Sequence, residues 1–295
     1  LSEGDVDAGL EELPPLKPAD PLDGPPFVTC KGWVLLDGDS GNVLADKQGD
    51  APLPMASTTK MMTAYLAFQS IGEDPELAES IVTFSDKADN TRGSTSGVRT
   101  GERLPLRELL YGLLLPSGND ASVAIAEHLG DRFPPASDEE DDQTALARFV
   151  HQMNATAKEL GMDETHYENP HGLDSDGHRA SPHDLAILAR KALEMESFRE
   201  VVGTRRYVCI VEKEDGPTRQ VVWNNTNQLL KVEGFDGVKT GTTGDAGACL
   251  VSSSHREDAW LICVVLGSQS PAARYVDSRN LYRWGFQQVL APIGK

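Results

Sequence analysis

Two rhythms of apolar and polar positions run along this chain, and the changes between them divide it. Trp33-Val34-Leu35-Leu36 is a short apolar run that ends in the turn Asp37-Gly38-Asp39-Ser40-Gly41, and Asn42-Val43-Leu44-Ala45 then resumes, which is the pattern of a hairpin. From Ser57 onward, Met61, Met62, Tyr65, Leu66 and Phe68 recur at helical spacing. Residues 105–130 hold two further helical patterns, broken by Pro116-Ser117-Gly118, and helices are expected again over 144–160 and 183–195. The last third turns strand-like. Tyr207 to Val211 and Arg219 to Val222 flank a Glu-Asp-Gly turn, and Ala248 to Ser252 and Trp260 to Leu266 flank His255-Arg256-Glu257-Asp258. Asp277 to Val289 reads as a closing helix. Strands at both ends with helices between them imply a sheet built from distant segments, with a helical lobe inserted.

The first 27 residues follow neither rhythm. Six prolines and seven acidic residues against Lys17 alone make them an acidic, proline-rich tail or linker that cannot bury enough apolar surface to offset its chain entropy. Asp138-Glu139-Glu140-Asp141-Asp142, which follows Pro134-Pro135, is expected as a solvated loop.

Composition narrows the function. The chain has 295 residues with Lys+Arg 27 against Asp+Glu 46, a formal charge of −19. Such a chain repels phosphate backbones, and no basic run is visible, so nucleic acid is excluded as a partner. Trp260 to Leu266, the longest apolar stretch, is far shorter than the roughly 20 residues that span a bilayer, so no integral membrane segment is expected. The chain starts at Leu1, and an export signal already removed is expected before it. Cys30, Cys209, Cys249 and Cys263 are too few for a disulfide scaffold and read as small buried hydrophobes. Cys249 and Cys263 lie symmetrically about the turn near Arg256, so they could face one another across a hairpin as thiols or as a cross-strand disulfide.

Three segments carry chemistry: Ser57-Thr58-Thr59-Lys60, Ser117-Gly118-Asn119 and Lys239-Thr240-Gly241. About one SxxK is expected by chance in such a chain, so the first motif alone means nothing; the other two are rare, and the order of all three is what counts. Ser57 and Lys60 are three apart and share a helix face. A serine hydroxyl needs a neighbouring base, and a lysine serves as one only if burial or a second cation lowers its pKa. Lys239 is the candidate second cation. Ser117 can relay a proton between Lys60, Lys239 and a leaving amine, and Asn119 can hold Lys60 and meet a substrate amide. The N–H of Ser57, at a helix start, and that of Thr242, on a strand edge, are candidates for stabilising an oxyanion. The chemistry calls for no metal and no cofactor, and the His171-to-His178 stretch, rich in His and Asp, is expected to satisfy its own backbone.

On these motifs the chain resembles the serine-type D-alanyl-D-alanine carboxypeptidases, the low-molecular-mass penicillin-binding proteins. The resemblance runs from about Val28 to Val289 and includes Met55-Ala56-Ser57-Thr58-Thr59-Lys60-Met61-Met62-Thr63-Ala64, Asn169-Pro170-His171-Gly172-Leu173 and Lys239-Thr240-Gly241-Thr242-Thr243. It implies an α/β (α+β) fold with an antiparallel five-stranded sheet flanked by helices and an all-helical lobe inserted at roughly 87–180, within a catalytic domain of 28–290. It implies an acyl-enzyme on Ser57, with Lys60 as proton acceptor and Ser117 as second serine. Lys239, Thr240, Gly241, Thr242 and Asn119 would bind substrate, and Arg274 falls where a carboxylate-binding arginine is expected. The implied substrate is a peptidoglycan stem peptide ending in D-Ala-D-Ala, outside the cytoplasmic membrane, and β-lactams would acylate Ser57. Many such enzymes continue into a β-rich domain and a membrane anchor, neither of which is expected here. Two alternatives stand beside this reading. A β-lactamase of related fold would need an ExxLN carboxylate, and neither Glu164 nor Glu168 heads one; a non-catalytic penicillin-binding sensor or wall scaffold would not need all four polar residues.

Overall fold

A computed structural model describes residues 24–136, 144–214 and 216–290. Most of the acidic tail and the acidic loop over 138–142 lie outside the described residues. The elements, in chain order, begin with β1 (Gly32–Asp37), β2 (Val43–Lys47) and β3 (Leu53–Pro54), then a 3-10 turn over Ala56–Thr59 that runs into α1 (Lys60–Glu73). Next come β4 (Ile81–Thr83), α2 (Asp86–Asp89), β5 (Glu102–Pro105), α3 (Leu106–Leu114), α4 (Asn119–Leu129) and α5 (Ala145–Glu159). After them follow β6 (Arg179–Ala180), α6 (Pro182–Leu193), α7 (Glu196–Gly203), β7 (Arg206–Lys213) and β8 (Arg219–Asn224). The chain closes with β9 (Phe235–Thr243), β10 (Gly247–Arg256), β11 (Ala259–Ser268) and α8 (Ala273–Val289).

The main sheet is antiparallel and five-stranded, in the order β2-β1-β11-β10-β9. Its first strand pairs with the last, Gly32 opposite Leu266 and Asp37 opposite Leu261. The unbroken apolar run of β1 follows from burial on both faces. Trp33 and Leu35 point into a cluster with Leu261, Val265, Tyr282 and Phe286, under α8. Val34 and Leu36 point the other way, into the large cluster shared with α1, α4 and α6. Ordinary one-faced antiparallel strands alternate with polar residues; this sheet has helices on both sides and therefore does not.

Helix α4 is the centre of the lobe. Asn119 through Ala126 are all buried, and α1, α3 and α5 surround it. The lobe is not entirely helical, which corrects one detail of the expectation. β5 lies inside it and joins a second sheet of order β4-β5-β7-β8. Four residues are too few for a period of two to stand out, and the strand forms because β7 offers partners, Arg103 opposite Glu212. The hairpin of β7 and β8 thus belongs to this second sheet and not to the main one, and the bidentate pair of Arg219 with Glu102 ties β8 to β5.

The cysteine geometry also differs from the sequence-based picture. The β10–β11 hairpin turns about Glu257 and Asp258, past Arg256, so Cys263 faces Ser252. Cys249 lies in the core on one face of the sheet and Cys263 in the core on the other. All four cysteines are buried free thiols.

Candidate active site

Three elements meet at one point between the sheet and the lobe: the 3-10 turn carrying Ser57, the break between α3 and α4 carrying Ser117 and Asn119, and the end of edge strand β9. The turn is shaped before the helix starts. Ala56 has φ +50°, and the carbonyls of Met55 and Ala56 accept from the hydroxyls of Thr58 and Thr59 at 2.7 and 2.8 Å. Ser57 is therefore presented half-buried at the head of α1, not within it. Gly172 packs against this turn with φ +91°, and a β-carbon there would lie 2.0 Å from the Ala56 carbonyl oxygen. Gly241 closes in from β9, where a β-carbon would lie 2.8 Å from the Ser57 nitrogen.

Lys60 has no solvent exposure at all. Its Nζ lies 2.9 Å from Ser57 Oγ, 2.6 Å from Asn119 Oδ1 and 2.6 Å from the carbonyl oxygen of His171. Burial pushes its pKa well below the usual lysine value, the charge of Lys239 pushes in the same direction, and Asp120 opposes them. Asn119 is oriented by its amide nitrogen, which donates to the carbonyl of Arg92 at 2.7 Å, so the oxygen is the end that faces Lys60. The neutral amine has two hydrogens and one lone pair. Two carbonyl-type oxygens, which can only accept, take both hydrogens; the lone pair is left for the hydroxyl of Ser57.

Ser117 sits at φ +68° in the break, its carbonyl held by Ser94. Lys239, 1% exposed, donates to Ser117 Oγ and to the carbonyl of Thr240, both at 2.9 Å. Burial lowers its pKa to about 7, assisted by the charge of Arg274. The hydroxyl of Thr240 shares a 2.7 Å hydrogen bond with that of Thr226. Thr242 is exposed at the strand end. Arg274, from α8, reaches β9 but is itself buried: its Nη1 donates to the carbonyl of Gly241 at 2.9 Å and to Thr242 Oγ1 at 3.0 Å. Arg274, Lys239 and Lys60 thus form a row of basic groups in which each lowers the pKa of the next.

The structure brings together Ser57, Lys60, Ser117, Asn119, Lys239, Thr240, Gly241 and Thr242, and it sets Arg274 behind the strand. Several supporting groups carried no signal in the sequence. The His171 carbonyl is one. Asp120, 1% exposed, is another: its carboxylate accepts from Thr95 Oγ1, Ser96 Oγ and the N–H groups of Ser96 and Ala121, which fixes the loop before α4. In the His171-to-His178 stretch, His178 joins the hydroxyl of Thr59 at 2.7 Å and accepts from the Glu168 N–H at 3.0 Å, while Asp174 accepts from Thr243 Oγ1 at 2.5 Å. These side chains bind the loop to the turn that carries Ser57 and to the end of β9. Among the described residues no group of three or more His, Cys, Asp or Glu is placed to hold a metal.

Comparison with known proteins gives the same class. The family model for D-alanyl-D-alanine carboxypeptidase matches residues 21–270, and the chain belongs to that family. It is 36% identical over 260 residues to the D-alanyl-D-alanine carboxypeptidase DacF of Bacillus subtilis, covering 88% of this chain and 62% of the relative. It is 33% identical to DacC of Escherichia coli, covering 91% of this chain and 64% of the relative. The chain therefore spans somewhat less than two thirds of these two proteins. The solved structure of the Streptomyces K15 DD-transpeptidase superposes with a TM-score of 0.80 at 31% identity, covering 89% of this chain and 99% of that one. The mixed fold with its antiparallel sheet is the fold of that enzyme.

Proposed function

We propose that this chain is a serine D-alanyl-D-alanine carboxypeptidase that removes the terminal D-Ala from peptidoglycan stem peptides, with residues 28–290 as its catalytic domain. The single observation that carries the reading is the environment of Lys60, whose buried Nζ lies 2.6 Å from both Asn119 Oδ1 and the His171 carbonyl and 2.9 Å from Ser57 Oγ. Ser57 attacks the penultimate peptide carbonyl as its proton passes to Lys60, which is general-base activation of a nucleophile. The oxyanion is held by the N–H groups of Ser57 and Thr242, the former at the positive end of α1. Ser117, held by Lys239 at 2.9 Å, gives a proton to the departing D-Ala nitrogen, and the proton that Lys60 took from Ser57 replaces it, which returns Lys60 to its neutral form and leaves Lys239 protonated. Water, activated by Lys60, then hydrolyses the ester. Lys239, Thr240 and Thr242 receive the substrate's terminal carboxylate, with the charge of Arg274 behind them. Asn119 positions Lys60 and has one amide hydrogen left for the substrate.

A β-lactam presents a strained amide to the same serine, so it forms an ester at Ser57. Peptidoglycan lies outside the cytoplasmic membrane, so the protein works there; no described helix is long and apolar enough to cross a membrane. Transfer to an amine acceptor is a second outcome of the same acyl-enzyme, favoured by the similarity to the Streptomyces K15 DD-transpeptidase.

The test is to incubate the protein and Ser57→Ala with a fluorescent penicillin, and to assay D-alanine release from a D-Ala-D-Ala tripeptide with and without a glycine acceptor. A stable label with release, both lost in the variant, is expected. Label without release points to a sensor, and rapid loss of label to a β-lactamase. Labelling of the variant would overturn the assignment of the nucleophile.

A further inference from the structure

The end of the main sheet remote from Ser57 holds a pocket of about 300 Å³ between the end of β10 and α8. Phe235, at this pocket, and Gly241, against Ser57, lie six residues apart on β9, which at the rise of a strand is roughly 20 Å. A ligand here does not compete with one at the serine.

Three arginines line this pocket: Arg256, Arg279 and Arg283. Arg279 and Arg283 are four apart on α8 and so emerge on one face of the helix. Arg256 ends β10, and its guanidinium is pinned over the ring of Phe286, 4.8 Å from the centroid. Arg283 Nη2 donates to Asn280 Oδ1 at 3.2 Å, which leaves its other donors free of that contact. Glu233 is the one acidic residue lining the pocket. Among the described residues, none of the three guanidiniums forms an ion pair, whereas Arg99, Arg107, Arg132 and Arg219 each pair with a carboxylate.

This arrangement runs against the rest of the molecule. A chain with 46 acidic and 27 basic side chains has ample carboxylates to neutralise its arginines. Like charges four apart on a helix are mildly destabilising, and a third cation beside them adds to the repulsion. A bound anion removes that repulsion. Arginine, in contrast to lysine, presents a flat fork of donors that matches phosphate oxygens two at a time. The residues are scattered as 256, 279 and 283, so no basic run betrays the cluster in the sequence. Its size suits one or two phosphate groups and not a nucleic-acid backbone, which needs an extended basic track.

We propose that Arg256, Arg279 and Arg283 form a binding site for a phosphate group, as a phosphomonoester, phosphodiester or pyrophosphate carried by a larger molecule, separate from the serine site. The phosphate sits over the Phe286 end of α8, and Glu233 tempers its affinity.

The test titrates the full chain by calorimetry with inorganic pyrophosphate. In parallel, cosedimentation with vesicles of phosphatidylglycerol and phosphatidylcholine asks whether the phosphate is that of a lipid. Saturable binding is expected, weakened at least about tenfold in Arg279→Gln/Arg283→Gln, since each charge-assisted contact is worth about that factor. Glu233→Gln should tighten it several-fold, and higher salt should weaken it. The melting temperature without ligand checks that the variants fold; if the double variant does not, each single variant is read in its place. Pyrophosphate binding lost in the variant supports a soluble phosphate, and vesicle binding alone, likewise lost, supports a lipid headgroup. The proposal is overturned if neither probe binds, or if the variants bind as tightly as the native chain.

Discussion

Lys60 is held by a backbone atom of a residue 111 positions away: its Nζ lies 2.6 Å from the carbonyl oxygen of His171. That contact, with the one to Asn119, decides which way the amine points. Replacing Lys60 by Met should therefore do two things. Acylation by a labelled penicillin should fall by about 10²–10⁴-fold, the usual worth of a general base. Stability in urea should fall by roughly 2–4 kcal/mol, because two buried acceptors lose their donor. Lys60→Arg should not restore acylation, since a guanidinium stays protonated and has no lone pair to offer. Recovery of the rate in Lys60→Arg would mean that charge, not basicity, is what Ser57 needs.

Burial and, after it, the charge of Arg274 together bring the pKa of Lys239 to about 7. Under the proposed mechanism Lys239 works protonated, so kcat/KM for a substrate with a free carboxylate should decline on the alkaline side as Lys239 loses its proton. Removing the neighbouring cation raises that pKa. Arg274→Gln should therefore move the alkaline limb to higher pH, even as the loss of its bonds to Gly241 and Thr242 lowers the maximal rate. A pH profile of both forms checks this, and an unmoved limb would assign it to another group.

The same lysine leaves a mark on folding. Its folded pKa of about 7 lies below the ordinary 10.5, so between these values the unfolded chain binds more protons. Stability from this group accordingly rises with pH across that window and is lost as pH falls back through 7. The shift at Lys60 has the same sign. Urea midpoints should increase from pH 7 to pH 8.5, and Lys239→Met should flatten the increase.

Gly172 touches the turn that carries Ser57 where no side chain fits. Gly172→Ala places a β-carbon 2.0 Å from the Ala56 carbonyl and strains a residue at φ +91°. Displacement of the turn by even about 1 Å is enough to cost on the order of 10²-fold in rate. Labelling by fluorescent penicillin should drop at least that far; an unimpaired variant would show that the loop can retreat without moving Ser57.

How much of this was legible in the sequence depended on what carried the information. Ser57, Lys60, Ser117 and Lys239 could be singled out because the proposed chemistry calls for those side chains in that order. The His171 carbonyl could not, since every residue has one. Asp120 looked like any acidic residue at a helix start, and only its burial under Ser96 and Thr95 reveals its task. Thr226 is a threonine among others until β9 brings Thr240 within 2.7 Å. A sheet built from distant segments followed from the apolar runs and its five antiparallel strands from the resemblance, whereas the second sheet depends on β5, too short to announce itself. The facing of Cys249 and Cys263 failed on the centre of the turn, which lies at Glu257 and Asp258 and not at Arg256, so every partner along β10 moves with it.

Those cysteines give a further expectation. Burial raises the thiol pKa of Cys30 to about 12 and that of Cys249 to about 11, and it lifts that of Cys263 well above the usual thiol value. The thiolate is the reactive form, so an aromatic disulfide reagent should modify essentially none of them in the native protein at neutral pH. After unfolding in guanidinium it should titrate all four. Rapid reaction of one native thiol would reveal an opening of the core that static packing does not show.

The pairing of β1 with β11 has a consequence for the birth of the molecule. Strand β1 is made early, but the strand that hydrogen-bonds its inner edge arrives more than 200 residues later. At the usual pace of a ribosome that interval is on the order of 10–50 s, during which an apolar strand has only its hairpin neighbour β2 for company. The serine turn is in the same position, since β9 must be in place before Gly241 can close on it. Neither half of this protein can rehearse its final form while the other is being made, so the nascent chain stays open to chaperones, to proteases and to any channel that accepts only unfolded polypeptide.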